Sequence, residues 1–197
     1  SSMYAISNMI IQVAVNLLGT ATVAAWSLSG KIDGFYWACS NAAGIAVMNF
    51  AAQNYGAGRM DRVHNCEKLS LKLFMGVTLL FSALLLGVGR FVLPVFNDDA
   101  EVLAKTWQVM LYMVPLYFTW TYIEIISGVL RGIGDAVVPV IIIGVGVCLL
   151  RVVWIATVYR SHPNMLNVCL AYPISWIVTD VAFFFYYRRV KWLYHIK

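Results

Sequence analysis

Charge is what this sequence lacks most. Asp, Glu, Lys and Arg make up only 12% of its 197 residues, against 61% hydrophobic residues and a mean hydropathy of +0.78. An average soluble domain is about a quarter charged. With so few charges a soluble fold could not cover its apolar surface, whereas lipid can. The composition therefore excludes an ordinary soluble protein and predicts repeated crossings of a bilayer.

Paired cysteines are missing too. Cys39, Cys66, Cys148 and Cys169 lie singly in or beside apolar stretches. Without a C-x-x-C pair or Cys/His cluster, neither a metal site nor a disulfide framework is supported, and each reads as a small buried hydrophobe. Also absent are a Walker A loop, H-E-x-x-H, G-x-S-x-G and a dinucleotide fingerprint, so nothing points to an enzyme. The net charge of +5 sits in short clusters between apolar spans. That distribution excludes a nucleic-acid reading and suits cytoplasmic loops. The opening SSMYAISNMI lacks the basic region and cleavage site of a signal peptide. It starts inside an apolar stretch and reads as a truncation point.

What is there is a series of apolar runs, predicting an all-α, polytopic bundle of six transmembrane helices. They cover residues 4–18, 21–54, 69–96, 102–130, 140–159 and 166–187. Gly30-Lys31-Ile32-Asp33-Gly34 is expected to interrupt the second, leaving a crossing at 35–54 with an outer helical extension. The polar, Gly-rich segment 56–68 reads as a loop, 131–139 as a tight turn, and Ser161-His162-Pro163-Asn164 as another turn. Asn97 or Asp98 is expected to cap the fourth helix, with Glu101 in its first turn. Pro115 is expected to kink that helix, which neighbours tolerate by satisfying the freed carbonyl.

Orientation follows from Lys and Arg. Arg59, Arg62, Lys68, Lys72, Arg131, Arg188, Arg189, Lys191 and Lys197 fall on one side; Arg90, Lys105 and Arg160 fall on the other, with Asp98, Asp99 and Glu101. The richer side is expected to be cytoplasmic, which puts the C-terminus on the cytoplasmic side of the cell membrane. Aromatic belts agree: Trp107, Tyr112, Trp154 and Tyr159 toward the outer ends, Tyr186, Tyr187 and Trp192 toward the inner. Close helix approach is expected at Gly30/Gly34, Gly128/Gly132 and Gly144/Gly146.

Ionisable residues within spans carry the functional signal, because a charge at the bilayer centre costs at least about 2.5–3.5 kcal/mol and usually faces a bundle interior or a wet cavity. Five qualify: Lys31, Asp33, Glu124, Arg151 and Asp180. Glu124, about seven residues from the cytoplasmic end of span four, is a candidate for binding and releasing a proton, or a structural carboxylate paired with a base. Asp180, in SWIVTDVAFFF, is either a second such group or a packing Asp bonded to a neighbouring Thr or Ser. Arg151 can snorkel outward, pair with Asp180 or Asp33, or hold an anionic group. Lys31 and Asp33, two apart, point to different faces and suit an outer gate or plain solvation. Asn16, Asn41, Asn49, Gln53, Ser127 and Thr179 could line a cavity or cross-link helices. Phe35, Tyr36, Trp37, Tyr117 and Trp120 would suit a lipophilic cation through cation–π contact, or simply pack.

Three segments together resemble one family. VNLLGTATVAAWSLSGKID (15–33), AAQNYGAGRMDRV (51–63) and SGVLRGIGDAVVP (127–139) are similar, in order and spacing, to the C-terminal half of multidrug and toxic compound extrusion (MATE) transporters. Gln53-Asn54-Tyr55-Gly56-Ala57-Gly58-Arg59 matches the end of the family's eighth helix, and Leu130-Arg131-Gly132-x-Gly134-Asp135 the end of its tenth. The resemblance implies one lobe of a twelve-helix, two-lobed antiporter, completed by an N-terminal lobe of the same chain. Organic cations and drugs would leave the cell as protons or sodium ions enter, with no other cofactor. In one branch of the family the tenth helix carries a coupling carboxylate, and Glu124 lies on that helix; in others the key acid is on the first helix, which is absent here. With the residues read above, the candidate site is Glu124 and Asp180 for cation coupling, and Asp33, Lys31, Arg151, Asn41, Gln53, Tyr117 and Trp120 as candidate cleft or gate residues. The alternatives are a lipid-linked oligosaccharide flippase of the same superfamily, which would need a more cationic cleft, and a non-transporting membrane scaffold.

Overall fold

Two glycines that leave the helical region set the corners of the fold. Gly58 and Gly134 have φ of 69° and 95°. Around Gly58 the Arg59 amide donates to the Asn54 carbonyl (2.8 Å) and the Gly58 amide to that of Tyr55 (2.9 Å). Around Gly134 the Asp135 amide donates to Leu130 (2.9 Å) and the Gly134 amide to Arg131 (3.2 Å). Both are Schellman caps, in which a left-handed residue lets the chain turn back to satisfy the helix's last carbonyls. The Gly-rich stretches of the second and third family-like segments are therefore helix terminators.

The computed structural model describes residues 2–193; Lys197 lies outside them, as do the side chains of Lys191 and Trp192. The described residues are helical throughout apart from short breaks, and form six rods. The first is α1 (Ser2–Asn16), the second α2 (Thr20–Gly56) and the third α3 (Met60–Val92), which continues as a 3-10 turn over Leu93–Val95. The fourth joins α4 (Ala100–Met113) to α5 (Tyr117–Gly132) through a 3-10 turn at Val114–Leu116. The fifth runs through α6 (Val137–Ile143), a π segment (Gly144–Leu149), α7 (Leu150–Trp154) and a second π segment (Ile155–Tyr159). The sixth is α8 (Met165–Leu193).

Several expectations need correcting. The segment 56–68 is not a loop: only 57–59 leave the helix. From Met60 onward its residues are amphipathic, with Val63, His64 and Glu67 buried against the bundle and His64 Nδ1 2.7 Å from Glu67 Oε2. Gly30 and Gly34 do not interrupt α2, since both keep helical geometry, and neither meets another helix within 4 Å. Asp99, rather than Asn97 or Asp98, caps α4, accepting from the Glu101 and Val102 amides at 2.8 and 3.3 Å. Asn97 instead accepts from the Asp99 amide.

Pro115 cannot donate its missing N–H, and the helix answers with the 3-10 turn around it. Neighbouring hydroxyls take up carbonyls there: Ser82 Oγ donates to Val114 O (3.0 Å) and Tyr36 Oη to Tyr117 O (2.9 Å). Tyr36→Phe should therefore cost about 1 kcal/mol, measured as a lower thermal midpoint of the purified full-length protein; no change would mean the bond is idle.

α5 sits at the centre, packed against α2, α3 and α8. Ile123, Ile125, Ile126, Val129 and Leu130 on it are fully buried. The α2–α5 crossing is tight because it is built on glycine. A Cβ on Gly128 would lie 2.8 Å from the Gly44 carbonyl oxygen, and one on Gly132 2.5 Å from that of Met48. This contact puts the C-terminal ends of α2 and α5 together. Tyr186 donating to Asp135 brings the C-terminal part of α8 to the same end. At the opposite end Lys105 reaches Thr22 (3.2 Å), Arg90 lies over Trp107, and Tyr159 bonds Ala14 O (2.7 Å). Among the described residues, the two groups of basic residues counted in the sequence thus lie toward opposite ends of the bundle.

Four of the rods are long and apolar enough to cross a membrane by length and composition: Met60–Val95, Ala100–Gly132, Val137–Tyr159 and Met165–Val190. α1, at 15 residues, is shorter than the roughly 20 needed. α2 has length to spare but interleaves Lys31, Asp33, Asn41, Asn49 and Gln53 with its apolar residues. Leu69, Leu73, Leu80 and Leu84 of α3 are exposed, a face that suits acyl chains.

Candidate functional site in the charged cleft

Five rods surround a cleft made of two adjoining hollows. Tyr4, Trp37 and Trp120 wall both. The first, about 1020 Å³, is lined further by Asn8 and Gln12 of α1, Asp33 of α2, Arg151 of α7 and Tyr172 of α8. The second, about 900 Å³, is lined by Asn41, Glu124, Ser127, Arg131 and Pro139. We refer to them as the Asp33 hollow and the Glu124 hollow.

Glu124 is held by its surroundings on three sides. Its side chain is 15% exposed, and Arg131 Nη2 lies 3.7 Å from Oε1. Arg131, 35% exposed, also donates from Nε to the Ser127 carbonyl (3.2 Å), so it is shared between partners rather than locked onto the carboxylate. Gly44 lies flat against the Glu124 side chain, and a Cβ there would overlap the carboxylate. Glu124 also reaches a smaller, mainly apolar hollow lined by Phe35, Phe74, Val77 and Phe81, with Thr78 and Thr121 among its polar groups. A carboxylate this placed can accept a cation or a proton from the cleft side while remaining out of lipid.

The other charged residues divide. Asp33 is 6% exposed and beside the Tyr117 hydroxyl, though their separation closes no hydrogen bond; Asp33 Oδ1 and Tyr117 Oη are without partners among the described residues. Lys31 is exposed and lines neither hollow. Arg151 is buried, so it does not snorkel, and no ion pair joins it to Asp33 or Asp180 among the described residues. Asp180 lies outside both hollows, near Tyr122, and its Oδ1 has no Thr or Ser partner among the described residues. Gln53 is exposed near the end of α2 and lines neither hollow, whereas Asn41 faces the Glu124 hollow.

Aromatic rings fill the centre. Tyr36 stacks on Tyr117 at 4.5 Å, and Trp37 meets Trp120 edge-on at 5.4 Å. Trp176, fully buried, contacts Trp37, Tyr117 and Trp120 at 5.9–6.1 Å. Tyr4, Trp26, Trp37, Trp120 and Tyr172 border the hollows, and an aromatic ring attracts a cation placed over its face. Sequence reasoning missed Tyr4, Arg131 and Tyr172 as cleft residues, and the buried Ser175 and Trp176 as contacts of Arg151. Tyr172, Ser175 and Trp176 recur at helical spacing beside Arg151, so one face of α8 carried that signal.

A helical bundle with four rods long and apolar enough to cross a membrane, around a charged, aromatic-walled cleft, is the class this geometry defines. The MatE family profile matches residues 1–157, and the chain belongs to that family, as its three segments led one to expect. It is similar to a Bacillus subtilis protein described as probable multidrug resistance protein YoeA, 23% identical over 89% of this chain and 38% of that protein. Its fold is similar to that of a MOP superfamily transporter from Pyrococcus furiosus, with a TM-score of 0.83, 19% identity, and coverage of 98% of this chain and 41% of that one. It is likewise similar to a Vibrio cholerae MATE transporter in its bent form, with a TM-score of 0.83, 15% identity, and coverage of 96% and 44%. The chain thus spans about two fifths of the length of these relatives.

Proposed function

We propose that this chain is the C-terminal lobe of a secondary antiporter that exports lipophilic organic cations in exchange for protons or sodium ions. The observation that carries this reading is Glu124, a carboxylate in an aromatic-walled hollow with one loosely held basic partner. In this reading the six rods are helices seven to twelve and cross the plasma membrane with the C-terminus cytoplasmic. The clustering of basic residues at the Gly58 and Gly134 end supports that orientation. An N-terminal lobe of the same chain closes the cleft, in keeping with the greater length of the relatives. The coupling ion binds Glu124, with Asp180 as a second carboxylate, and the guest lies against Trp37 and Trp120 near Asp33 and Asn41. The flippase and scaffold alternatives gain no comparable support: an acid shares each hollow with its arginine, so the cleft is not a cationic one.

The test is reconstitution of the full-length protein in vesicles preloaded with ethidium. Proton and sodium gradients are imposed separately. Ethidium movement driven by one gradient and abolished by its collapse is expected; ethidium flux indifferent to both gradients would overturn antiport.

A further inference from the structure

Polar residues that the cleft does not use gather on the far side of α5. Tyr122 and Glu124 are two residues apart, so the helix points them about 200° apart around its axis. Glu124 faces the cleft, whereas Tyr122 lies close enough to Asp180, Glu67 and Arg188 to interact with all three. Glu67 in turn has Tyr187 beside it and His64 Nδ1 2.7 Å from its Oε2. His64, Glu67 and Tyr187 are 7%, 5% and 4% exposed, so this is interior rather than surface. α3, α5 and α8 thus share a polar seam, and none of its residues lines either hollow.

The seam has a deep end and a shallow one. Asp180 lies ten residues before Val190, the last residue of its apolar rod, a depth of about 15 Å. Tyr187 follows it by two turns on the same face of α8. Glu67 and His64, one turn apart on α3, continue toward Met60 and the Gly58 corner. Asp180 Oδ1 is buried without a partner among the described residues, and no ion pair joins Asp180 to Arg188, whose guanidinium lies 4.5 Å from the Phe184 ring centroid. A carboxyl group in that setting must hold a proton or find a donor, and such groups mark ion and proton paths in membrane helices. Phenol, carboxyl and imidazole groups each take up a proton at one lone pair and hand one on. We propose that Asp180 exchanges its proton with water at the Gly58 end of the bundle along this seam, through Tyr122 and the Glu67–His64 pair, and not through the cleft. A proton arriving on His64 passes to Glu67 Oε2. Glu67 then gives it to the Tyr122 oxygen as the Tyr122 hydroxyl releases its own proton to Asp180, whose carboxylate becomes the acid. This rests on the antiport reading for the use made of the proton, not for its path.

The test is infrared spectroscopy of the purified full-length protein after a light flash frees protons from a caged acid. The carboxylic-acid stretch that is missing in Asp180→Asn reports proton uptake by Asp180. In Glu67→Gln that signal should reach its wild-type amplitude, but more slowly by a factor on the order of a hundred. In Glu124→Gln it should rise at the wild-type rate. A wild-type spectrum without any band that Asp180→Asn removes overturns the proposal, as does an unchanged rate in Glu67→Gln. Equal slowing in Glu124→Gln and Glu67→Gln puts the path through the cleft and overturns it too. Should Glu67→Gln not fold, Tyr122→Phe decides, because it keeps the half-buried ring and removes only the hydroxyl. A slowed rise there supports the seam, and an unchanged one refutes it. Gradient-driven ethidium flux is measured separately, so a failure of antiport would not be mistaken for a failure of the seam.

Discussion

Glu124→Gln in the full-length protein is expected to give a folded, membrane-inserted transporter whose gradient-driven export of ethidium falls to the level of cells without it. The substitution keeps the side chain's shape beside Gly44 and its reach into the Glu124 hollow. What it removes is the charge. Arg131 then loses a carboxylate 3.7 Å away, but it is partly exposed and keeps its bond to the Ser127 carbonyl, so no buried charge is stranded. Folding should therefore survive while ion coupling does not. Efflux assays at matched membrane levels decide the matter. Retained efflux would move coupling to Asp180, to Asp33 or outside this chain.

A second large effect is expected at the α2–α5 crossing, and it concerns folding. Gly132→Val should all but eliminate monodisperse protein in detergent. Its Cβ alone would lie 2.5 Å from the Met48 carbonyl oxygen, 2.6 Å from Ala51 Cβ and 3.1 Å from the Ala52 amide nitrogen. Two of those atoms are backbone of a continuous helix and cannot swing aside. Overpacking of a well-packed core costs typically 1–3 kcal/mol, and two methyls beyond the Cβ add to that. The control is Gly76→Ala on α3, where a Cβ meets nothing within 4 Å. There alanine's better helix propensity is worth about 0.8–1.0 kcal/mol, so yield should hold or rise. Size-exclusion profiles of the two variants should diverge; similar profiles would mean the crossing is looser than its geometry.

How far the sequence reveals this structure depends on how local each feature is. The turns at Gly58 and Gly134 were legible because a left-handed residue at a helix end is a one-residue demand. The extent of α3 was not. A polar stretch such as DRVHNCEK reads as a loop until one sees that its Val63, His64 and Glu67 share a buried face, with Cys66 half-buried beside them, while Asp61, Arg62, Asn65 and Lys68 are exposed. The unbroken course of α2 was hidden for a related reason: Gly30 and Gly34 weaken a helix without obliging it to end. Asp33, Glu124 and Arg151 stood out because charge in an apolar run is expensive wherever it lies. Their partners did not, with one exception. Arg131 follows Glu124 by two helical turns, so that pairing was present in the spacing. The approach of Arg151 to Tyr172 and Ser175 depends on how two separate rods pack, which no single run of residues specifies.

The continuity of α2 has a mechanical meaning. Its 37 residues make a beam about 55 Å long, against a hydrocarbon layer of about 30 Å. No hinge divides it, so a tilt applied at its Thr20 end swings Asp33, Trp37, Asn41 and Gly44 through one arc. Along this wall the two hollows travel together. Any change in the size of one relative to the other has to come from the walls opposite, where the rods are interrupted: the 3-10 turn at Val114–Leu116 and the π segments on either side of Arg151.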